Sequence, residues 1–496
     1  MLTATENGQT GPGPTGDLPG YIRDLTGYAR VRCAAGADRF IEVFDPATNE
    51  SIGSVPAATG EDVRCAVEKA RTAFDHWKRL LPQERGILLR AWGDGMLARK
   101  EELAALLTAE QGKPLAESLG EIEYSAGYVH WYAEEARRVY GEQIPSHLKD
   151  CRMTVAQEPV GVVATITPWN FPSAMLVRKA SAAMAAGCTV IAVPSSVTPF
   201  SALAAAEVAE QAGVPANVLT VLTGKTRFLV PELCRKTDVR AVSFTGSTEV
   251  GREIATLCAA TIKRVSLELG GHAPFIVFPD ADLEAAVAGA VAAKFVTTGQ
   301  DCLAANRIYV HDEIHDAFCA KFVAAINDLK VGPGNAGVPV DLGPLVGKGA
   351  FNKVREHIGD ATAKGARVLA GGNPHELGGL FHEPTVLGDV TPDMKISHEE
   401  TFGPIAAILR FSDYAEVVRA ANDTEYGLIA YAYTRDHARA LRISDDLEFG
   451  MVAINTPKVT GAPVPFGGVK QSGLGREGSH HGIREYTQLK YVCAAY

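Results

Sequence analysis

From Thr59 the run TGEDVRCAVEKARTAFDHW places Val63, Ala66, Val67, Ala70, Ala73, Phe74 and Trp77 on one stripe at helical spacing. Thr59 and Asp62 are spaced as a capping pair for that helix. Two further amphipathic stretches, Gln83 to Glu110 and Pro114 to Tyr140, repeat the period, the second opening with a proline that a first helical turn tolerates. Their Tyr124, Tyr128, Trp131 and Tyr132 read as core rather than as a ligand cage. After Pro145 the pattern changes to short β-branched runs alternating with helical segments: Val160 to Thr167, Thr189 to Val193, Val218 to Leu222, Arg240 to Phe244, Arg264 to Leu267 and Phe275 to Phe278. Such alternation implies a parallel sheet, whose ligands sit in the crevice at the carboxyl ends of its strands. A second αβ series runs from Asn306 to about Phe411. Cys151 to Glu158 and Tyr486 to Cys493 are β-prone, lie outside both series, and suggest strands exchanged between subunits. Thr3 to Pro19, rich in Gly, Pro and Thr, buries too little apolar area to offset chain entropy and reads as a flexible tail.

A chain of 496 residues is long enough for two or three domains and for a core that needs neither disulfides nor metal. A net charge of −10 disfavours a nucleic-acid partner and points to a small-molecule ligand. The nine cysteines are odd in number, scattered and free of metal spacing, which is thiol usage for a reducing compartment. The 13 histidines show no HExxH pattern, so no metal is expected. The longest apolar run, Ala285 to Ala293, falls short of the roughly 18 to 20 residues of a membrane span. Met1 to Gly16 lacks the basic and apolar segments of a signal peptide. The expectation is a cytoplasmic protein with no membrane partner.

The candidate chemistry lies after the strands. FVTTGQDCLAANRIYV, residues 295–310, puts Cys302 on a turn behind a polar run, and turns present side chains. A thiol is a strong nucleophile only as thiolate, and by residue type alone a free cysteine is more often an inert small hydrophobe. The first strand of the series runs into Pro168-Trp169-Asn170-Phe171-Pro172, a rigid exit from a sheet. There Asn170 either offers its amide N–H to a developing oxyanion or caps the helix that begins near Ser173. Thr245 to Gly251 form a glycine turn opening a helix, whose free amides suit a phosphate, although such turns serve packing as often. Glu268 ends another strand before Gly270 and Gly271; most such glutamates are solvated or paired, and some are general bases.

TPWNFP, SFTGSTEVG, LELGG, GQDC, EETFGP and PFGGVKQSGLGREG occur in the order found in aldehyde dehydrogenases, which the chain resembles from about Asp45 onward. It is most similar to the succinate-semialdehyde dehydrogenase branch in NFPSAMLVRK, NDTEYGLIAY and the closing KYVC. The resemblance implies an α/β fold with two Rossmann-like parallel-sheet domains plus a small oligomerisation β-segment. On that pattern residues 1–20 form the flexible tail, 21–150 and 160–275 a cofactor-binding domain, 276–465 a catalytic domain, and 151–159 with 480–496 the oligomerisation strands of a homodimer or homotetramer. The implied cofactor is NAD or NADP and the implied partner a small-molecule aldehyde. Cys302 would attack the aldehyde carbon, Asn170 and the cysteine's own N–H would hold the oxyanion, and Glu268 would be the general base for thioester hydrolysis. Thr167, Trp169, Lys179, Gly246, Ser247, Leu269, Glu400 and Phe402 fall at positions that would line the cofactor, and Arg178 and Phe466 at positions that would line the substrate. Glu268 favours an acid product over transfer to coenzyme A.

The chain departs from the family pattern in places. Where Lys-Pro-Ser-Glu is usual, it reads Val193-Pro194-Ser195-Ser196, so Ser196 replaces a carboxylate that would repel a 2′-phosphate. The loss of the lysine argues the opposite way, and Lys225 or Arg227 after the next strand would restore positive charge. Arg178 matches one of two arginines that clamp a distal carboxylate in the succinate-semialdehyde branch, but the other position is Val296. Lys458 is a candidate substitute cation. Asp301 adds negative charge beside the thiol, and Ala304 replaces the branch's second cysteine. The expected activity is oxidation of a small polar, semialdehyde-like aldehyde. The alternatives are a succinate-semialdehyde dehydrogenase proper, or a cofactor-impaired protein of the same fold with a binding or esterase role.

Overall fold

The computed structural model describes residues 18–32 and 39–496. Most of the expected tail, residues 1–17, lies outside the described residues, but its last three positions open the helix Leu18–Arg32. That helix enters the core with Ile22, Leu25 and Ala29, so apolar spacing resumes directly after the glycine- and proline-rich run.

A six-stranded sheet has the order Gly473–Leu474, Arg264–Glu268, Val239–Thr245, Val162–Ile166, Thr189–Val193, Leu219–Val221. All neighbours are parallel except the two-residue edge strand. Successive residues of a strand face opposite sides, so a sheet covered on both faces reads as a continuous apolar run. Val163, Val190 and Ala192 pack with Trp92, Leu107, Val129 and Leu176 on one face. Val162, Ala164, Ile166 and Val193 pack with Val63, Leu229 and Ile254 on the other. The expected cap at Thr59 forms: its Oγ1 accepts the Asp62 N–H at 3.3 Å while Asp62 accepts the Thr59 N–H at 2.8 Å.

The stretch from Gln83 to Glu110 is two helices, Pro82–Ala98 and Lys100–Gln111. Arg99 leaves helical geometry between them (φ −111°, ψ 22°), and its guanidinium bonds Glu102 of the second helix and Glu207 of another. Periodicity continues through such a corner because both helices face one core. The next helix, Leu115–Glu135, starts just after Pro114 and ends in a short 3₁₀ turn, Ala136–Arg138.

The run read as the sixth strand of the first series, Ala273–Val277, belongs instead to a second sheet, between Ala305–His311 and Ile429–Tyr433. This seven-stranded sheet is parallel apart from the edge pair Arg367–Ala370 and Thr385–Gly388, and it extends to Met451–Ile454. The second αβ series thus begins before Asn306 and ends after Phe411. Gly271, in the crossover between the sheets, has no room for a side chain: a Cβ would stand 2.2 Å from the carbonyl oxygen of Cys302.

Cys151–Pro159 pairs antiparallel with Thr487–Ala495 along nine positions of the same chain, with Glu142–Ile144 on the other side. The two β-prone segments read as lying outside both series thus pair with each other within the chain. No helix among the described residues is long and apolar enough to cross a membrane.

Candidate active site

In the first sheet the chain builds Val162–Ile166, Thr189–Val193 and Leu219–Val221 outward, then crosses back to add Val239–Thr245 on the opposite side of the first strand. The turns after the first and fourth strands therefore part at a switch point, where open α/β sheets leave a crevice. Asn170 lies in the first of these turns, is 3% exposed, and donates from Nδ2 to the carbonyl of Gln300 at 3.1 Å. It does not cap the following helix, Pro172–Ala186. Glu121 does, its Oε1 accepting the N–H groups of Ser173 and Ala174 at 3.0 and 3.1 Å. The amide is thus turned toward the nucleophile's loop.

That loop leaves the helix Leu283–Phe295 through three successive left-handed residues, Thr297, Thr298 and Gly299 (φ 50°, 58° and 70°). Only the last suits the conformation at no cost; β-branched residues held there cost of order 1–3 kcal/mol each. A Cβ on Gly299 would stand 2.3 Å from the carbonyl oxygen of Gly403. Cys302 follows, partly exposed, with Asp301 Oδ1 accepting the Leu303 N–H at 3.0 Å and Tyr431 donating to the Leu303 carbonyl at 3.0 Å. Burial pushes the thiol well above its ordinary pKa; Asp301 and Glu400 push it further, and Arg178 opposes them. Ala304 is buried, so no second thiol stands there.

Glu268 ends its strand 2% exposed, and neither carboxylate oxygen has a hydrogen-bond partner among the described residues. Gly467 (φ 155°) makes room for it: a Cβ would stand 2.8 Å from Glu268 Oε1. Burial and then Glu477 raise the carboxyl well above its ordinary range, against Lys179, Arg178 and Arg476. The surroundings thus favour the neutral form of both the thiol and this carboxyl.

Arg178 and Lys179, expected at the substrate and cofactor, are both buried and both contact Glu477, one oxygen of which forms an ion pair with Arg178 while the other accepts from Lys179 Nζ. Burial works against the Glu477 anion, but Arg178 and Lys179 outweigh it and hold the carboxyl below its usual range. Arg178 Nη2 has no partner among the described residues, and the guanidinium lies 4.4 Å from the centre of the Phe466 ring. Val296 is 40% exposed at the start of the nucleophile's loop. Lys458 is exposed, and its backbone N–H bonds Thr456 Oγ1 at 3.1 Å.

On the cofactor side, Glu400 Oε1 accepts the Gly271 N–H at 3.0 Å, and burial raises this carboxyl to about 7. Phe402 (φ 56°) meets Trp169 edge to face at 5.4 Å. Gly246 donates to the Glu268 carbonyl at 3.0 Å, and Ser247 caps the helix Thr248–Ala259. Leu269 donates to the Ser472 carbonyl at 2.9 Å while its side chain lies where a Cβ on Gly251 would go. Thr167 and Thr245 follow or end the two switch-point strands with buried hydroxyls that have no partner among the described residues. Free helix amides and orphaned hydroxyls at a switch point fit a dinucleotide. Ser196 is half-buried, Lys225 and Arg227 are exposed, and Arg227 lies over the Phe228 ring. Among the described residues no group of three or more His, Cys, Asp or Glu could hold a metal ion.

Sequence reasoning missed three charged residues around the site: Glu477, Glu117 and Lys113. Glu477 sits inside the GREG run that carried the resemblance, so its position was visible without its partners. Glu117 and Lys113 lie far along the chain from the nucleophile, and nothing in the pattern joins them to it.

The chain belongs to the aldehyde dehydrogenase family, whose pattern matches residues 33–492. It is 53% identical to a glutarate-semialdehyde dehydrogenase of Pseudomonas aeruginosa, over 91% of this chain and 94% of that protein. It is 52% identical to a succinate-semialdehyde dehydrogenase (NADP(+)) of Escherichia coli, with the same shares covered. A crystal structure of succinate-semialdehyde dehydrogenase from Burkholderia pseudomallei superposes with a TM-score of 0.92 at 51% identity, over 93% of this chain and 96% of that one.

Proposed function

We propose that the protein oxidises a small polar semialdehyde to its carboxylic acid with NAD or NADP, through a thioester on Cys302. The observation that carries this reading is the placement of the Asn170 amide against the loop of Cys302, together with an unpartnered buried carboxyl at Glu268. Cys302 attacks the aldehyde carbon as its thiol proton passes to solvent water, and Asn170 Nδ2 with the Cys302 N–H donates to the oxygen that becomes negative. The nicotinamide, when bound, supplies the hydride acceptor that turns the adduct into a thioester. Glu268 then takes a proton from the water that hydrolyses that thioester, a task for which a raised pKa suits a carboxylate. The six-stranded sheet with its helices holds the cofactor, and the seven-stranded sheet carries the nucleophile.

The substrate's distal group faces Arg178, whose free Nη2 and fixed guanidinium plane suit a carboxylate. Both named relatives act on aldehydes that carry one, which supports this class. Thr487–Ala495 leaves an unpaired edge with Leu489, Tyr491 and Val492 exposed, so the small sheet is the contact of a homodimer or homotetramer. The enzyme works in the cytoplasm, in keeping with its scattered free thiols.

The test is the near-ultraviolet absorbance of reduced nicotinamide across a panel of aldehydes, with both cofactors. Semialdehydes give the highest kcat/KM and Cys302→Ala gives no signal; turnover by that variant rejects the mechanism.

A further inference from the structure

Two charged residues, Lys113 just before one helix and Glu117 in its first turn, bond the two loops that carry Asn170 and Cys302. Glu117, in the first turn of Leu115–Glu135, accepts on Oε2 both the Thr297 N–H at 2.9 Å and the Thr297 hydroxyl at 3.0 Å. Thr297 is fully buried and is the first of the three left-handed residues before Cys302. Lys113, four residues earlier and buried, donates from Nζ to Glu121 at 2.8 Å and to the backbone carbonyl of Asn170 at 2.7 Å. Its ammonium also lies 3.9 Å from the centre of the Phe171 ring.

We propose that Glu117 is a positioning residue for the nucleophile: it holds Thr297 in its left-handed conformation and so aims the turn that carries Cys302, while Lys113 fixes Asn170 from the same short segment. The proposal rests on the reading of Cys302 and Asn170 given above. A left-handed threonine is a conformation the chain leaves unless the surroundings over-determine it. Glu117 supplies that determination with two hydrogen bonds to one residue. Thr297 in turn accepts from Gln300 N–H at 3.0 Å and from the Gln300 side chain at 3.2 Å, and the Gln300 carbonyl accepts from Asn170 Nδ2. The route from Glu117 to the amide donor is therefore continuous: carboxylate, Thr297, Gln300, Asn170. Lys113 closes the loop on the far side, so the distance between nucleophile and amide is set by one brace.

The experiment compares Glu117→Ala, Glu117→Gln, Thr297→Val and the double variant Glu117→Ala/Thr297→Val in the full-length enzyme. Displacement of a reacting atom by about 1 Å costs up to roughly 100-fold. Glu117→Ala is expected to lower kcat about 10- to 100-fold, with KM for the cofactor and the affinity for NADPH read by fluorescence both unchanged. Glu117→Gln keeps an acceptor for the Thr297 N–H and is expected to restore kcat to within about 3-fold of wild type, whereas Thr297→Val keeps the N–H bond and falls in between. The double variant is expected to be no slower than Glu117→Ala alone, because both changes act on one contact. Wild-type kcat in Glu117→Ala, or a Glu117→Gln variant slowed more than about 10-fold, or fully additive losses, each overturns the proposal. Should Glu117→Ala fail to fold, the Glu117→Gln result still decides. Cys302→Ala, measured alongside, separates the two claims: its loss of turnover with a wild-type Glu117→Ala rejects the brace alone, and retained turnover rejects the nucleophile.

Discussion

Arg178 and Glu477 form a buried ion pair beside Glu268, and Lys179 shares the same carboxylate. Three opposing charges are thus packed against the carboxyl that the proposed mechanism uses as its base. Glu477 raises the pKa of Glu268 while Lys179 and Arg178 lower it, so the balance among them sets where the base becomes active.

Replacing Glu477 with Gln removes the anion and leaves both cations. The Glu268 carboxylate is then favoured, its pKa falls, and the acid limb of the kcat profile moves to lower pH. Breaking a buried pair by removing one partner costs about 3–5 kcal/mol, so the variant is also less stable to urea. An acid limb that stays where it was shows that the charge of Glu477 does not reach the base.

Lys225 and Arg227 stand exposed after the strand Leu219–Val221, beside the one that ends at Val193. With Val193 in the family's lysine position, they are the cations expected to meet a 2′-phosphate. Lys225→Ala and Arg227→Ala are predicted to raise KM for NADP about tenfold, near 1.4 kcal/mol, and to leave KM for NAD unchanged. Steady-state kinetics with both cofactors checks this, and an unchanged ratio of the two constants refutes it.

Val296 stands where the pattern of the resembled branch implies a second arginine, and it is 40% exposed, so a longer side chain has room. Val296→Arg is expected to raise kcat/KM for a carboxylate-bearing semialdehyde about tenfold, with no gain for a neutral aldehyde of equal length. Equal changes for both substrates would assign position 296 no part in charge recognition.

Glu110 caps the helix Phe200–Gln211 by accepting the N–H groups of Phe200 and Ser201, both at 2.8 Å, and burial raises its carboxyl to about 8. The unfolded carboxyl titrates near its ordinary value of about 4.3. Between those values the folded state keeps a proton that the unfolded state releases, so this group's contribution to stability declines as pH rises from about 5 to 8. Glu110→Gln cannot titrate, and its urea midpoint should fall less than that of wild type across the same range. Parallel slopes for the two proteins would place the titrating group elsewhere.

Much of the architecture was legible because a two-sided parallel sheet writes itself into the chain as unbroken apolar runs. Thr189–Val193 has the bounds read from its β-branched residues, and the other strands read for the first sheet shift by no more than two positions at either end, whereas its two-residue edge Gly473–Leu474 was not read as a strand. Ala273–Val277 has the same texture, yet it lies in the other sheet, because an apolar run fixes a strand and not its partner. The corner at Arg99 was hidden for a related reason: the two helices it joins bury one continuous face. Asn170 was left between capping and catalysis by residue type. Glu121, a distant residue on another helix, takes the capping task and leaves the amide to the loop of Cys302.

The order of residues along the chain determined which elements form, which of their faces are apolar, and that a thiol, a carboxylate and an amide follow strands or turns. Folding alone decided that Glu477 would pair with both Arg178 and Lys179 and that Glu117 would grip Thr297. Those pairings join residues 298 to 299 and 180 positions apart, and contacts across such spans are set by how two sheets and their helices pack. No local pattern of hydrophobic and polar positions encodes them.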